Sequence, residues 1–443
     1  MKTGALNSKE INVSMRIDGS FHLSDGVILE REILKHPHKQ LVDFCSNIFT
    51  SGRSKRVYTK KEHGYPYLSN SDVVAQKTFD SCNYNSRKYG YDKSAFLKEG
   101  MILTGRVGAI GQTAYVTREF DEKEVMGSDN IIRIVTNPSE YSGYIYSFLS
   151  SRVGNILLWK LAAGGVQPYI TDQMVKNIPI PIFPESKQQE IHNLIVESAN
   201  LRVEANRLLE EATEYFDELL KDEDAANSGI ISIRNMRNRF DSYSVLENST
   251  IDTIIEKYPI EWIPIKSISE KIFIGPRSKR NYVAKGIPFL SGSELQKSNP
   301  TKVEKFLNIK DATPFIVNKD WILITRSGTI GNVSYTLPIL DGYGATDDAI
   351  RVVVKSESTL TSKYLFAFLA SKFGKKCIQK DIFGSVIQHI NEDQLGNILI
   401  PILDVDKIEK QIEKYCLFLN KAIIKENQAI SLVEKEIESW QQS

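Results

Sequence analysis

Residues 186–220 read SKQQEIHNLIVESANLRVEANRLLEEATEYFDELL and form the longest uninterrupted heptad pattern of the chain. Apolar positions alternate spacings of three and four residues, which predicts one seam along a single helix. The seam comprises Ile191, Leu194, Ser198, Leu201, Ala205, Leu208, Ala212, Tyr215 and Leu219. Such a helix is about 50 Å long at 1.5 Å per residue. Because its other faces are mainly acidic, the seam requires a partner.

A second stretch of this kind covers residues 404–440. Its stripe comprises Ile408, Ile412, Tyr415, Leu419, Ala422, Ala429, Val433, Ile437 and Trp440. The first helix leads from one half of the chain into the other, and the second follows the second half. We therefore expect the two helices to pair antiparallel along their seams.

The composition is that of an ordinary globular protein. Its 443 residues allow two or three domains, and 41% are hydrophobic and 25% charged. No apolar run approaches the roughly 20 residues that span a bilayer, so we expect a cytoplasmic protein without membrane contact. Its four cysteines lack metal-ligand spacing, which predicts free thiols and no metal site.

The chain contains two copies of one unit. Residues 51–73 (SGRSKRVYTKKEHGYPYLSNSDV) match 275–295 (GPRSKRNYVAKGIPFLSGSEL), and 103–111 match 323–331. Residues 142–151 likewise match 362–371, and 164–182 match 384–402, after which each copy enters its long helix. The order is therefore module, helix, module, helix, with a pseudo-two-fold relation between the halves.

Each module is predicted to mix short strands with helices, which makes the fold α+β. The expected strands are 101–104, 113–116, 131–135, 321–325, 332–335 and 350–354. Helical spacing covers 144–158 and 364–378. Residues 221–249 are predicted to be a polar joint with a short strand at 230–233.

The repeated RSKR segments are the clearest candidates for ligand binding. They supply Arg53, Lys55, Arg56, Tyr58 and Lys60 in module one, with Arg277, Lys279, Arg280 and Tyr282 in module two. Arginine can bond a phosphate or a guanine edge through two N–H groups, and lysine adds a point charge. The overall formal charge is only +1, so these patches are local. The alternative is a solvated basic loop without a partner.

Two glycine-rich turns, GRVGAIG at 105–111 and RSGTIG at 326–331, lack the G-x-G-x-x-G spacing of dinucleotide sites. Tight β-turns are the better interpretation. Arg106 and Arg326 lie in these turns, where they either face DNA or pair with Asp129 and Asp347.

The turn before each long helix carries polar side chains that could bond base edges, namely Gln167, Tyr169, Gln388 and His389. Packing of the helix junction is an equally good explanation. A further mixed aromatic and basic loop in module one contains Tyr84, Asn85, Arg87 and Lys88.

No catalytic motif of a metalloprotease, hydrolase, nucleotide-binding protein or amino-methyltransferase is present, and the six histidines share no spacing. The sequence therefore favours a recognition protein whose chemistry resides in a partner.

This arrangement resembles the specificity subunit of type I restriction-modification systems. The resemblance covers nearly the whole chain. It rests on the P-aromatic-L-S strands (66–69, 288–291), the L-x-x-R-x-G-x-I-G turns (103–111, 323–331) and the I-P-I-P run into a Gln-Gln-Glu-Ile helix start (178–191). Many relatives carry a Gly-Thr-Pro turn where this chain has GRSKR and GPRSKR, so the family assigns no base contact to those residues.

The resemblance implies a non-catalytic subunit that reads a bipartite DNA site. The expected domains are a target-recognition domain at 1–185, a spacer helix at 186–221, a joint with a second target-recognition domain at 222–403, and a spacer helix at 404–443. The implied partners are double-stranded DNA, two methyltransferase subunits and a restriction subunit. S-adenosylmethionine, ATP and magnesium are implied only for those partners, with no cofactor in this chain.

The half-sites are expected to differ in sequence, because residues 76–98 and 296–318 do not match. Three alternatives stay open: a recognition subunit of another restriction or methylation system, a fused modification enzyme, and a coiled-coil adaptor that binds only proteins.

Overall fold

The computed structural model describes residues 19–80, 82–89, 91–138, 141–164, 166–220, 242–380, 382 and 389–440. Two compact units are present. The first contains the described residues up to Val203 together with those from Lys421 onward, and the second spans Glu204–Asn420.

The α-helices are α1 (Gly19–His22), α2 (Asp25–Ile33), α3 (Arg118–Glu122), α4 (Ser142–Ser150), α5 (Arg152–Leu161), α6 (Asp172–Lys176), α7 (Glu185–Asp217), α8 (Ser242–Lys257), α9 (Ile265–Ile268), α10 (Ile309–Ala312), α11 (Ser362–Ala370), α12 (Lys372–Gln379), α13 (Glu392–Gly396) and α14 (Val405–Trp440).

The strands of the first unit are β1 (His38–Gln40), β2 (Cys45–Thr50), β3 (Gly64–Leu68), β4 (Asn83–Ser86), β5 (Ile102–Gly105), β6 (Thr113–Tyr115), β7 (Met126–Gly127), β8 (Ile131–Thr136) and β9 (Pro179–Pro181). Those of the second are β10 (Trp262–Pro264), β11 (Ser269–Ile274), β12 (Tyr282–Val283), β13 (Ile287–Leu290), β14 (Phe306–Leu307), β15 (Ile322–Thr325), β16 (Val333–Tyr335), β17 (Gly344–Ala345), β18 (Ala349–Val354) and β19 (Leu399–Pro401).

Both units use the same sheet topology. An antiparallel four-stranded sheet has the order β2-β8-β5-β6 in the first unit and β11-β18-β15-β16 in the second. A smaller sheet has the order β4-β3-β7 or β12-β14-β13-β17, and a two-stranded ribbon pairs β1 with β9 or β10 with β19. The last strand of each smaller sheet runs parallel to its neighbour. The predicted α+β class and tandem repeat are therefore confirmed.

The helical run predicted at 144–158 is two helices, α4 and α5, and the run at 364–378 is likewise α11 and α12. Ser151 and Ser371 interrupt the runs with extended backbone, and each hydroxyl accepts a hydrogen bond from the amide of Gly154 or Gly374. These serines are N-caps that start a second helix. The apolar periodicity of the sequence continues across Ser151 and Ser371, so it did not predict the helix break at these residues.

The two long helices run antiparallel within each unit. In the first unit, Lys187 bonds Glu436, and Lys425 lies 2.8 Å from Glu197. In the second, the side-chain amide of Gln411 donates to Glu211 over 3.1 Å, and the Lys407 ammonium lies 5.2 Å from the ring centre of Tyr215. The predicted antiparallel pairing is present in both units.

The buried stripe of α7 differs from the predicted seam. Leu194, Leu201 and Tyr215 are only half-buried. The most buried apolar positions instead include Ile191, Ile195, Ala205, Leu208, Leu209, Ala212, Phe216 and Leu219. The stripe is shifted because α7 packs, within each unit, against the module of that unit as well as against α14. Ile195 joins the core formed with α4, and Phe216 contacts the rings of Tyr364 and Phe368 at 5.5 Å.

One further expectation was wrong. The joint predicted to be a loop up to residue 249 already contains the start of α8 at Ser242. The strand predicted at 230–233 lies outside the described residues.

Candidate nucleic-acid interface

The RSKR segment of each module is an exposed loop between the large and the small sheet. In module one it follows β2, and Tyr58 then forms an isolated antiparallel bridge with Asn85 in β4. In module two the same position has become β12, whose Tyr282 pairs with Leu307 in β14. The loop is therefore anchored at its C-terminal end. Lys55, Lys60 and Lys279 are exposed, as expected of cations that meet a phosphate backbone.

A carboxylate holds the two arginines of module one. Arg56 donates from a terminal nitrogen to Asp129 Oδ1 over 2.6 Å, and Arg53 Nε lies 3.4 Å from Asp129 Oδ2. The Asp129 side chain is only 13% exposed, whereas that of Arg53 is 80% exposed. The hydrogen bond that Arg56 donates to Asp129 raises the pKa of Arg56. We call this arrangement the arginine clamp.

Module two contains the same clamp with the same atoms. A terminal nitrogen of Arg280 forms an ion pair with Asp347 Oδ1, and Arg277 Nε lies 3.6 Å from Asp347 Oδ2. The carboxylate is again nearly buried, at 11% exposure, and the first arginine is again exposed, at 70%. Because the same RSKR sequence makes the same contacts in both modules, the clamp belongs to the repeated unit.

An aromatic side chain lies beneath the second arginine of each clamp. The guanidinium carbon of Arg56 is 5.6 Å from the ring centre of Tyr67, and that of Arg280 is 5.2 Å from that of Phe289. These distances fit cation–π contacts. Tyr58 and Tyr282 approach the same rings edge-on, at 6.2 and 5.7 Å. Both tyrosines stay half-exposed beside the arginine.

The clamps open onto clefts with different walls. The cleft of module one has a volume of about 480 Å³ and that of module two about 440 Å³. Three asparagines line the first, Asn70, Asn83 and Asn130. The second is lined by Arg277, Ser278, Arg280, Tyr282 and Asp347. Asparagine pairs well with adenine in the major groove, so the two clefts offer different hydrogen-bonding patterns to base edges.

A buried arginine supports the turn that carries each clamp carboxylate. Arg133 is fully buried and donates to the carbonyls of Gly127, Ser128, Ile131 and Ala95. Arg351 is also fully buried and donates to the carbonyls of Ala345 and Phe315. Burial lowers the pKa of both arginines to about 10, still far above neutrality. Each arginine therefore stays charged and holds its turn through hydrogen bonds to backbone carbonyls.

The glycine-rich turns are β-turns, as expected. Gly108, Gly111, Gly328 and Gly331 have positive φ between 73° and 84°, a conformation that favours glycine. Arg106 and Arg326 are half-buried, and their backbone carbonyls accept hydrogen bonds from Ile170 and Ile390. Asp129 and Asp347 pair with the RSKR arginines, which removes the alternative that they hold Arg106 and Arg326.

The turn before α7 lies beside this glycine turn. Tyr169 exchanges backbone hydrogen bonds with Ala163 and bridges Val107, which lines the cleft of module one. Gln167 and Tyr169 are exposed. In module two, half-buried His389 bridges Ser327 in the same way, and Gln388 lies outside the described residues.

The remaining candidate loop of module one plays a more structural part. Asn85 is 1% exposed, and its side-chain carbonyl accepts the amide of Val57 over 2.9 Å. Arg87 lies over the ring of Tyr65 at 4.5 Å and pairs with Glu124 at 3.3 Å. Tyr84 is half-buried, and Lys88 is exposed. None of the four candidate residues of this loop (Tyr84, Asn85, Arg87 and Lys88) lines the cleft of module one.

Sequence reasoning missed the roles of Asp129, Arg133, Asp347 and Arg351. A signal was available, because residues 128–135 (SDNIIRIV) match 346–353 (TDDAIRVV), placing both Asp and Arg at equivalent positions. The match follows the same repeat but was not among those recognised.

The described part of the chain contains neither a membrane-spanning helix nor a cluster of metal-binding side chains. No helix there is long and apolar enough to cross a membrane. Within the same residues, no three or more His, Cys, Asp or Glu side chains gather as a metal site would require.

One protein-family model matches the chain twice. The model for the type I restriction modification DNA specificity domain covers residues 39–204 and 261–432, which together are most of the sequence. No curated protein matches the sequence.

Solved structures with some likeness are distant. The type I restriction-modification S subunit from M. genitalium is 14% identical, covering 91% of this chain and 94% of that one at a TM-score of 0.30. The HsdS subunit from Thermoanaerobacter tengcongensis is 13% identical, covering 90% and 95% at a TM-score of 0.27. The family assignment therefore depends on the family model.

Proposed function

Because the chain belongs to the type I restriction-modification DNA specificity family, we propose that its two modules each read one half of a bipartite DNA site. The supporting observation is the arginine clamp, which recurs in both modules beside clefts with different walls. Arginines can contact phosphates and base edges, and the cleft walls add polar groups that differ between modules. The site is therefore asymmetric, with an unread spacer between its half-sites.

The long helices serve as docking surfaces for two methyltransferase subunits. Chemistry belongs to those partners, which supply S-adenosylmethionine-dependent methylation, and a restriction subunit adds ATP- and magnesium-dependent cleavage. This chain contributes recognition alone and acts in the cytoplasm. Support comes from the family membership and from the absence of catalytic motifs in the sequence.

Sequencing of the methylome tests this function. A host without other DNA modification expresses the chain with the methyltransferase encoded beside it, and the control host expresses that methyltransferase alone. We expect a bipartite methylated motif with two different half-sites only when the chain is present. If the two proteins associate and no new motif appears, the coiled-coil adaptor becomes the better explanation.

A further inference from the structure

We propose that Asp129 and Asp347 are positioning residues that hold Arg56 and Arg280 so that each arginine reads a guanine, one in each half-site. The inference rests on the proposed function and names the base and the residues that select it. It follows from the geometry of the arginine clamp, the support of its carboxylate and the chemistry of the open guanidinium edge.

The clamp leaves part of the second arginine free to bond a ligand. Asp129 engages one terminal nitrogen of Arg56, whose side chain remains 43% exposed and lines the cleft. Asp347 engages one terminal nitrogen of Arg280, which is 28% exposed and also lines its cleft. A guanidinium has five N–H donors, so a carboxylate on one side leaves donors for a second partner.

The carboxylate is held more firmly than the arginine it orients. The Asp129 side chain is 13% exposed, and its turn is fixed by the fully buried Arg133. Asp347 is 11% exposed, and buried Arg351 bonds the carbonyl of Ala345 two residues earlier. Each clamp therefore has a fixed acidic side and an arginine whose orientation depends on it.

Guanine is the base that fits the remaining donors. Its major-groove edge presents two acceptors, N7 and O6, which match the parallel N–H groups of arginine. Adenine and cytosine present an amino donor at that edge, which would oppose an arginine donor. Thymine offers only one acceptor beside a methyl group. An arginine oriented before binding also loses less conformational freedom on contact.

The two arginines of each clamp have different roles, because the first contacts phosphate and the second reads a base. Arg53 and Arg277 are 80% and 70% exposed and approach the carboxylate through Nε. Their terminal nitrogens suit phosphate contact, which contributes affinity without sequence information. The clamp carboxylate repels phosphate, so it also disfavours a collapse of Arg56 or Arg280 onto the DNA backbone.

Two isosteric variants test the assignment, each in the complete complex with the methyltransferase. Asp129→Asn and Asp347→Asn each remove the clamp charge with little change of shape. A library of sites randomised one base pair at a time is methylated, and the methylated products are sequenced. We expect each variant to relax discrimination at one G·C pair, about tenfold, in its own half-site and nowhere else. The other half-site serves as an internal reference.

Matched controls separate the clamp from general charge effects. Asp80→Asn and Asp393→Asn remove exposed carboxylates from the first and second unit, and both should keep wild-type specificity. Arg56→Lys keeps the charge but removes the parallel donors, so it should relax the same base pair as Asp129→Asn. Combining Arg56→Lys with Asp129→Asn should relax discrimination at this base pair no further than either change alone, because Asp129 acts through Arg56.

Several outcomes would overturn the proposal. Equal loss of methylation at all positions would indicate a purely structural carboxylate, and relaxation at an A·T pair would refute the guanine assignment. If Asp129→Asn fails to fold, Arg56→Lys still decides, since unchanged specificity in that variant refutes base reading. A wild-type complex that methylates no specific site would instead refute the proposed function.

Discussion

At the scale of single residues, the two fully buried arginines, Arg133 and Arg351, are the least expected feature of the core. A buried charge is costly unless it is hydrogen-bonded. Arg133 meets this need with four backbone carbonyls, which are themselves groups that require donors when buried. The arginine thus satisfies three carbonyls of the segment that connects β7 to β8, and that segment carries the clamp carboxylate.

Tyr364 gives a pH-dependent prediction at the same scale. Its hydroxyl donates to the carbonyl of Pro401 over 2.7 Å and accepts from the amide of Leu403 over 2.9 Å. Burial raises the pKa of Tyr364 to about 12, from an ordinary 10. The folded state therefore retains a proton that the unfolded state loses. Up to about 3 kcal/mol of stability, present below pH 10, should be lost between pH 10 and 12.

Urea unfolding measured from pH 9 to 12 tests this prediction. In Tyr364→Phe, the unfolding free energy should fall less steeply with pH, and the difference in slope should correspond to at most one proton. The variant should also be less stable than wild type at neutral pH, because two hydrogen bonds are lost. Tyr89→Phe changes an exposed ring and should follow the wild-type curve. A Tyr364→Phe curve parallel to wild type would show that this hydroxyl does not titrate across the transition.

At the scale of elements, the sequence predicted the long helices and three strands of each four-stranded sheet, because their periodicity is local. The helix predicted from residue 186 begins at Glu185, and the strand predicted at 131–135 is Ile131–Thr136. Contacts between distant segments were harder to predict. Asp129 lies 73 residues from Arg56, and only the fold brings these side chains together. The same limit applies to Ile195 and Phe216, whose burial depends on the module beside α7.

Glu426 is a charged member of the seam of α14 that periodicity alone did not explain. It is 4% exposed, accepts a hydrogen bond from Tyr146 over 2.8 Å and pairs with Arg202 of α7 over 2.6 Å. Glu426→Leu leaves Arg202 nearly buried without this carboxylate, so the first unit should lose about 3 to 5 kcal/mol of stability.

Replacing both charges distinguishes the ion pair from ordinary packing. Arg202→Leu combined with Glu426→Leu removes both desolvated groups, and the double variant should recover much of the lost stability. Glu438→Leu, at an exposed position of the same helix, should stay within about 0.5 kcal/mol of wild type. Chemical denaturation gives all values. A double variant less stable than Glu426→Leu would mean that the pair contributes specific packing which leucine cannot replace.

At the scale of the whole molecule, the formal charge is only +1, but the acidic and basic residues are unevenly distributed. Helix α7 carries eight acidic and three basic residues, whereas cations gather at the RSKR loops, where each clamp carboxylate cancels part of their charge. Non-specific affinity for DNA depends on the phosphates that cations neutralise. Recognition in this molecule should therefore depend on base contacts more than on general attraction to the duplex.

The length of the long helices supplies the last prediction, the distance between the two half-sites on DNA. Helix α7 has 33 residues, about 50 Å at 1.5 Å per residue, which corresponds to about one to one and a half turns of B-DNA.

Duplicating residues 197–203 together with 419–425 adds one heptad to each helix and preserves the periodicity of their apolar faces. The added length of about 10 Å should widen the unread spacer by about three base pairs, with both half-sites unchanged. Methylome sequencing measures the length of the spacer. In the control variant, the fourteen residues 197–203 and 419–425 are replaced by other residues and the helices keep their length. A methylated motif whose spacer stays the same would show that the helices do not set this distance.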